Sequence, residues 1–154
     1  MKKVVVFFST MSLAVFAAFL FIQATSGRVI PNDNLGFPQD AVPVKSLEAG
    51  KAIYNGKGNC FACHQPTGVG VPGVFPPLAK SDFLLADKKR AIVQTIYGSK
   101  KPIKVNGLDY PGSIMTNVVM TDQEVVDVVN YVLNSWGNKG GVVTLAEVKA
   151  VRKP

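Results

Sequence analysis

The chain has 154 residues and a formal net charge of +7, and apolar residues make up 47% of it. This length predicts one domain with at most a short appendage. The positive charge favours acidic partners, but it is too modest and too dispersed to indicate a nucleic-acid-binding protein.

The N-terminus carries two lysines ahead of an uncharged apolar run at residues 4–22. This is the pattern of an export signal, and Ala24 and Ser26 suit a cleavage site. The run is also nearly long enough to span a bilayer, so residues 1–26 are expected to be a signal peptide or a membrane anchor. In either case the remaining chain is expected in the periplasm, free or anchored to the inner membrane.

A linker and then a helix are predicted next. Residues 27–44 are rich in Pro, Asn, Asp and Gly and have no helical period, which predicts a linker. The domain is expected at residues 45–137. Its first helix is predicted at about 46–55, with Ser46 at the N-cap.

The middle of the chain alternates between loop and helix signals. Residues 65–80 are rich in proline and glycine and are expected to form an irregular loop. Residues 81–98 predict one or two helices that stop at Gly98. Between two short alternating runs, Asn106-Gly107 predicts a two-residue hairpin turn.

Capping patterns mark the last two helices. Thr121 and Glu124 fit a capping box at the start of a helix that runs to about residue 137. Thr144 and Glu147 repeat the pattern. The C-terminal extension, residues 138–154, is therefore expected to contain a short helix.

The stretch CFACH holds both cysteines of the chain, Cys60 and Cys63, and its single histidine, His64. Cys-x-x-Cys-His is the signature of covalent c-type haem attachment. Two thiols at this spacing can form thioether bonds with the two vinyl groups of one haem. His64 would then lie under the iron and supply an imidazole nitrogen. One covalently attached haem c is the predicted cofactor.

Three other interpretations of this stretch fit less well. A thiol redox motif usually lies within a βαβ pattern, which this sequence lacks. A zinc site needs about four ligands, and only three are present here. A disulfide across two intervening residues would close too small a loop to restrict the unfolded chain much.

The wider sequence resembles the class I cytochromes c over about residues 47–136. Gly50 and Tyr54 match the family's first helix, and Val128 and Tyr131 match the last helix that crosses it. The resemblance implies an all-α fold of several short helices around one covalently bound haem, here with a small β-hairpin.

Two further sequence segments, GVFPPLAKSDFL and YVLNSWGNKGG, indicate a narrower group within this family. Together they are similar to cytochrome domains associated with copper nitrite reductases. They are equally similar to haem subunits of periplasmic quinoprotein or flavin dehydrogenases.

A second axial ligand would close the other face of the iron. With no second histidine, methionine is the candidate, and a Met/His pair raises the reduction potential. Beyond the export segment only Met115 and Met120 are available. Met120 precedes Thr121 and with Val125 suits a hydrophobic staple, whereas Met115 lies in a loop. The resemblance also places the ligand at Met115, although the family's usual Met-Pro is here Met115-Thr116. Met120 and an open iron site remain alternatives.

An iron-bound histidine normally donates its other ring N–H to a carbonyl group. The resemblance implies that Pro76 provides this carbonyl, with Pro77 next in line. The alternative is that both prolines only shape the loop.

These observations predict an electron-transfer protein rather than an enzyme, a monohaem carrier between redox proteins of a respiratory chain. The alternatives are a dedicated haem subunit of a periplasmic oxidoreductase, and a sensor or peroxidase with an open iron site. Redox partners with acidic surfaces are expected, unless the basic residues form only a solvated surface. The candidate basic rim comprises Lys57, Lys80, Lys88, Lys89, Arg90, Lys100, Lys101 and Lys104.

Overall fold

The computed structural model describes residues 41–112 and 114–152. The predicted signal or anchor at residues 1–26, and the linker up to residue 40, lie outside the described residues. Within the described ranges, no helix is both long and apolar enough to cross a membrane. The elements of these ranges are α1 Val44–Asn55, α2 Phe61–His64, α3 Asp82–Leu85, α4 Lys88–Tyr97, β1 Ile103–Val105, β2 Leu108–Tyr110, α5 Asp122–Asn134 and α6 Leu145–Arg152.

Helix α1 begins two residues earlier than predicted, and the assignment of Ser46 as its N-cap is wrong. Pro43 occupies the N-cap position in an extended conformation, and its carbonyl accepts hydrogen bonds from the amides of Ser46 and Leu47. Ser46 instead lies in the first turn. Its hydroxyl donates to Asp127 Oδ1 at 2.6 Å and so ties α1 to α5.

Helices α1 and α5 cross in close contact. Gly50 is buried at the crossing, where a Cβ would overlap the Asp127 carbonyl and lie 2.6 Å from Tyr131 Cβ. The Tyr54 and Tyr131 rings also meet, with centroids 5.5 Å apart. The crossing predicted at Gly50, Tyr54 and Tyr131 is confirmed. Asp127 and Tyr131 make the closest approach to Gly50, while Val128 lines a cavity.

Two helices form between residues 81 and 98, each with a side-chain cap. Ser81 Oγ accepts a hydrogen bond from the Leu84 amide, and Asp87 Oδ1 accepts one from the Arg90 amide. These caps satisfy amides that have no partner inside a helix. Helix α4 stops at Gly98, whose φ of 73° favours glycine, as predicted.

The predicted hairpin is confirmed. Strands β1 and β2 pair antiparallel, and Asn106 and Gly107 both have positive φ, as the tight hairpin turn requires. Asp82 and Asn106 then hold the hairpin against α3. The Asp82 amide donates to Asn106 Oδ1, and the Asn106 amide donates to Asp82 Oδ1.

The two predicted capping boxes are present in α5 and α6. Thr121 and Glu124 bond each other's backbone amides at the start of α5. Thr144 and Glu147 repeat this arrangement ahead of α6. Helix α5 ends at Asn134, three residues before the predicted end, because Ser135 adopts an extended conformation.

The C-terminal extension packs on the rest of the fold. Val143 and Val148 are completely buried within the core, and α6 contacts both α4 and α5. Asn130 fixes the start of the extension through two hydrogen bonds, one accepted by the Val143 carbonyl and one donated by the Val143 amide. The extension is therefore an integral layer of the fold.

Candidate haem-binding site

A cavity of about 350 Å³ lies among α2, the loop that follows it, α4, the hairpin and the segment before α5. All five residues predicted for the haem site line it: Cys60, Cys63, His64, Pro76 and Met115. Met120 lines it as well. The fold thus brings together residues that lie as far apart in sequence as 60 and 120.

The CFACH stretch forms a single helical turn. Cys60 has helical φ and ψ, and its carbonyl accepts the amides of Cys63 and His64 at 3.3 and 2.9 Å. Residues three and four positions apart share one face of a helix, so both sulfurs and the imidazole point to the same side. Both cysteines are free and half-buried. Burial raises the pKa of the Cys60 thiol to about 11, which keeps it protonated at neutral pH.

His64 is only 8% exposed, and its Nδ1 lies 2.9 Å from the Pro76 carbonyl oxygen. Because a carbonyl can only accept, Nδ1 must carry the hydrogen. Burial lowers the pKa of the imidazole, while the hydrogen bond to Pro76 raises it, and the net direction is downward. The ring is therefore neutral, and Nε2 keeps a lone pair that can bind a metal.

Two glycines position the loop that carries Pro76. A Cβ at Gly70 would lie 2.7 Å from the Pro76 carbonyl oxygen, and a Cβ at Gly68 would lie 2.6 Å from the Trp136 ring. Both glycines also have positive φ. The Gly70 amide donates to the His64 carbonyl at 3.0 Å. The glycines let the loop fold back tightly enough for Pro76 to reach the histidine.

Met115 is held by its backbone. It forms an isolated bridge with Ser99, in which the two residues exchange hydrogen bonds of 2.8 and 2.9 Å. A Cβ at Gly98 would overlap the Met115 carbonyl, so glycine is needed there. Met115 itself is half-buried at the cavity wall.

Met120 is packed differently from Met115. It is 7% exposed and belongs to the core cluster that contains Val125. This placement agrees with the hydrophobic staple expected of Met120 at the start of α5. Core packing therefore accounts for Met120 without a metal.

Two basic residues at the start of α4, Lys88 and Arg90, have partners within the protein. Lys88 Nζ donates to the Val142 carbonyl at 2.7 Å and lies 3.7 Å from Glu147. Arg90 stacks on the Phe83 ring, 3.7 Å from its centroid, and donates to the Phe83 carbonyl. These contacts explain Lys88 and Arg90 at a helix start without a partner protein. Sequence reasoning missed them because no local pattern links residue 88 to residues 142 and 147.

Comparison with known proteins identifies the family. The profile of the family described as cytochrome c matches residues 47–136. The chain is 34% identical over 112 residues to cytochrome c-552 of Thermus thermophilus, which covers 67% of this chain and 83% of the relative. The chain belongs to the cytochrome c family.

This cytochrome is also similar to much larger proteins. It is 34% identical over 98 residues to the cytochrome c subunit of the quinone alcohol dehydrogenase of Gluconacetobacter polyoxogenes. The corresponding subunit of Gluconobacter oxydans is 29% identical over 106 residues. The matches cover 20% and 22% of those subunits, so each compares this chain with only a part of the relative.

Membership of the family means that this cytochrome transfers electrons and holds one haem c covalently. The residues present fit that group. Two free thiols, a neutral buried imidazole and a thioether side chain line the same cavity. The predicted fold class, mostly helical with a small two-stranded sheet, is confirmed.

Proposed function

We propose that this cytochrome is a periplasmic carrier of single electrons between redox proteins of a respiratory chain, with His64 and Met115 as axial ligands of the iron. The supporting observation is that one cavity is lined by both the imidazole fixed by Pro76 and the Met115 side chain. Haem iron, when bound, takes up and releases single electrons.

Each residue of the site has a separate task in this proposal. Cys60 and Cys63 hold the haem through thioether bonds. His64 presents Nε2, and Pro76 fixes the ring by accepting the hydrogen of Nδ1. Met115 supplies a thioether, which raises the reduction potential relative to a second imidazole.

The proposed organisation of the chain follows its sequence pattern. Residues 1–26 are a signal peptide or an inner-membrane anchor, and residues 27–44 are a linker. Residues 45–137 are the haem domain, and residues 138–154 are its C-terminal extension. The mass of the mature protein distinguishes cleavage from anchoring, because only cleavage removes the apolar run.

Redox partners with acidic docking surfaces are proposed on the basis of charge. Lys57 and Lys104 are neutralised by ion pairs with Glu124 and Asp109. Lys100 and Lys101 are exposed, and Lys101 lines the haem cavity. Lysines near the cavity mouth can steer an acidic partner toward the haem, an effect that salt weakens.

A dedicated haem subunit of a periplasmic oxidoreductase is the second candidate. The similarity to the cytochrome c subunits of quinone alcohol dehydrogenases favours it. Purification under mild conditions separates the two candidates. A partner that stays bound in stoichiometric amount would show that the protein is a subunit. A free carrier purifies alone, because the interfaces between a carrier and its redox partners are small and transient.

Carbon monoxide binding by the reduced protein tests the ligand assignment. Native protein and Met120→Ala are expected to bind carbon monoxide poorly at neutral pH, because Met115 occupies the iron. Met115→Ala is expected to bind it promptly, since the position is then open. Prompt binding by native protein would favour a sensor or peroxidase with an open iron site. Prompt binding only in Met120→Ala would identify Met120 as the ligand in place of Met115.

A further inference from the structure

The C-terminal extension lies beyond the matched cytochrome domain, which ends at residue 136. Besides the hydrogen bonds of Asn130 and its buried valines, two cationic side chains hold it at separate places. Near its start, Lys88 Nζ donates to the Val142 carbonyl at 2.7 Å. At its far end, Arg152 reaches the residues that lead into α5. The two anchors use different residues and can be removed one at a time.

Arg152 makes two charged contacts at the far end. Nη2 donates to the Met120 carbonyl at 2.6 Å, and Nε lies 2.5 Å from Asp122 Oδ1. Nε makes no hydrogen bond within the described residues, so its contact with Asp122 is an ion pair rather than a hydrogen bond. The two side chains are 34% and 28% exposed. Their partial burial weakens screening by salt.

The segment that carries Met115 has few other attachments. Within the described part of the chain, hydrogen bonds hold residues 114–120 at two points, the bridge to Ser99 and the bond from Arg152 to Met120. Between these points the chain buries little apolar surface, with Val119 86% exposed. Segments with few buried contacts open at a low free-energy cost. Loss of the bond from Arg152 should therefore make the whole segment, including the bridge to Ser99, open more often.

Helix α6 also touches the other side of the bridge. The Tyr97 hydroxyl donates to the Val151 carbonyl at 3.3 Å. Tyr97 directly precedes Gly98, whose missing side chain admits the Met115 carbonyl. One end of α6 thus contacts the chain both before Ser99 and after Met115.

We propose that Arg152 is a positioning residue for the segment that carries Met115, and that α6 thereby limits the access of external ligands to the iron. The effect on iron access rests on the proposed ligation by Met115. The positioning of the segment does not, because it follows from protein contacts alone.

Amide hydrogen exchange in the haem-loaded protein tests the positioning. Arg152→Met keeps the aliphatic stem but removes the charge and the donors. It should speed exchange at the Ser99 and Met115 amides about tenfold relative to the Tyr54 amide, a change equal to about 1.4 kcal/mol. Lys88→Met, which removes the contacts with Val142 and Glu147 but leaves those of Arg152, should leave that ratio unchanged.

Two results would overturn the positioning role. One is no acceleration in Arg152→Met, and the other is an equal acceleration in Lys88→Met. If Arg152→Met does not fold, Tyr97→Phe serves in its place, because it removes a single hydroxyl. It should speed the same two amides by a smaller factor, and an unchanged ratio would contradict the proposal.

Binding of imidazole to the oxidised protein tests the effect on the iron. Arg152→Met should tighten apparent imidazole binding about tenfold, whereas Lys88→Met should not change it. Faster exchange without tighter binding would overturn the control of access. If native protein binds imidazole as tightly as Met115→Ala does, ligation by Met115 is wrong, and the exchange result still decides the positioning role.

Discussion

At the scale of single residues, Glu124 shows how one side chain can serve two parts of the fold. Its carboxylate caps the Thr121 amide at the start of α5 and binds Lys57, which precedes the haem motif. The Lys57 ammonium, followed by the Thr121 amide, lowers the pKa of Glu124 to about 2. The capping half of this role could be read from the sequence. The ion pair could not, because it joins residues 67 positions apart.

Glu124 predicts a specific acid sensitivity. A carboxyl group whose pKa is lowered by folding stabilises the folded state above its unfolded pKa, near 4.5. That contribution should be lost as the pH falls from about 4.5 to about 2. In Glu124→Gln the free energy of unfolding should fall less steeply over this interval. Denaturant titrations at several pH values measure it, and identical slopes in the two proteins would contradict the assignment.

The histidine and its proline mark the limit of residue-level prediction. The motif identified Cys60, Cys63 and His64 as a set, since their spacing is itself the signal. The partner carbonyl at Pro76 came only from the family resemblance. Its 2.9 Å contact depends on how tightly the glycine-rich loop turns, which no local pattern specifies.

At the scale of elements, the two helix starts with capping boxes were predictable, and the start of α1, which has no side-chain cap, was not. Thr121 and Thr144 carry capping boxes, and both helices begin where expected. Helix α1 begins after Pro43, which provides no side-chain cap. The N-cap was therefore assigned to Ser46, the first residue in this region with a side chain suited to capping. In the structure Ser46 bonds Asp127 across the helix crossing instead.

The crossing of α1 and α5 predicts a large effect for Gly50→Ala. The added methyl group would overlap the Asp127 carbonyl, which belongs to a helix backbone and cannot rotate away. Overpacking of this kind costs about 1–3 kcal/mol of unfolding free energy. Gly112→Ala is a matched control, since its Cβ would have no neighbour within 4 Å. Thermal unfolding of both variants measures the difference, and equal stabilities would contradict the packing described at Gly50.

At the scale of the whole molecule, the cavity depends on contacts between distant segments. Residue type and spacing identified Cys60, Cys63, His64 and two methionines as separate candidates. The family resemblance identified Pro76 and the fold that joins them. The contribution of the C-terminal extension was not foreseen. The sequence pattern of the extension predicts only a short helix. The contact between Arg152 and Met120 is visible only in the folded structure.

X-ray absorption at the iron edge of the native protein tests the central claim most directly, because it identifies the atoms bonded to the metal. With His64 and Met115 as axial ligands, the spectrum should show a sulfur atom bonded to the iron. That signal should disappear in Met115→Ala and persist in Met120→Ala. A native spectrum with only nitrogen or oxygen ligands, or a sulfur signal that survives in Met115→Ala, would contradict it.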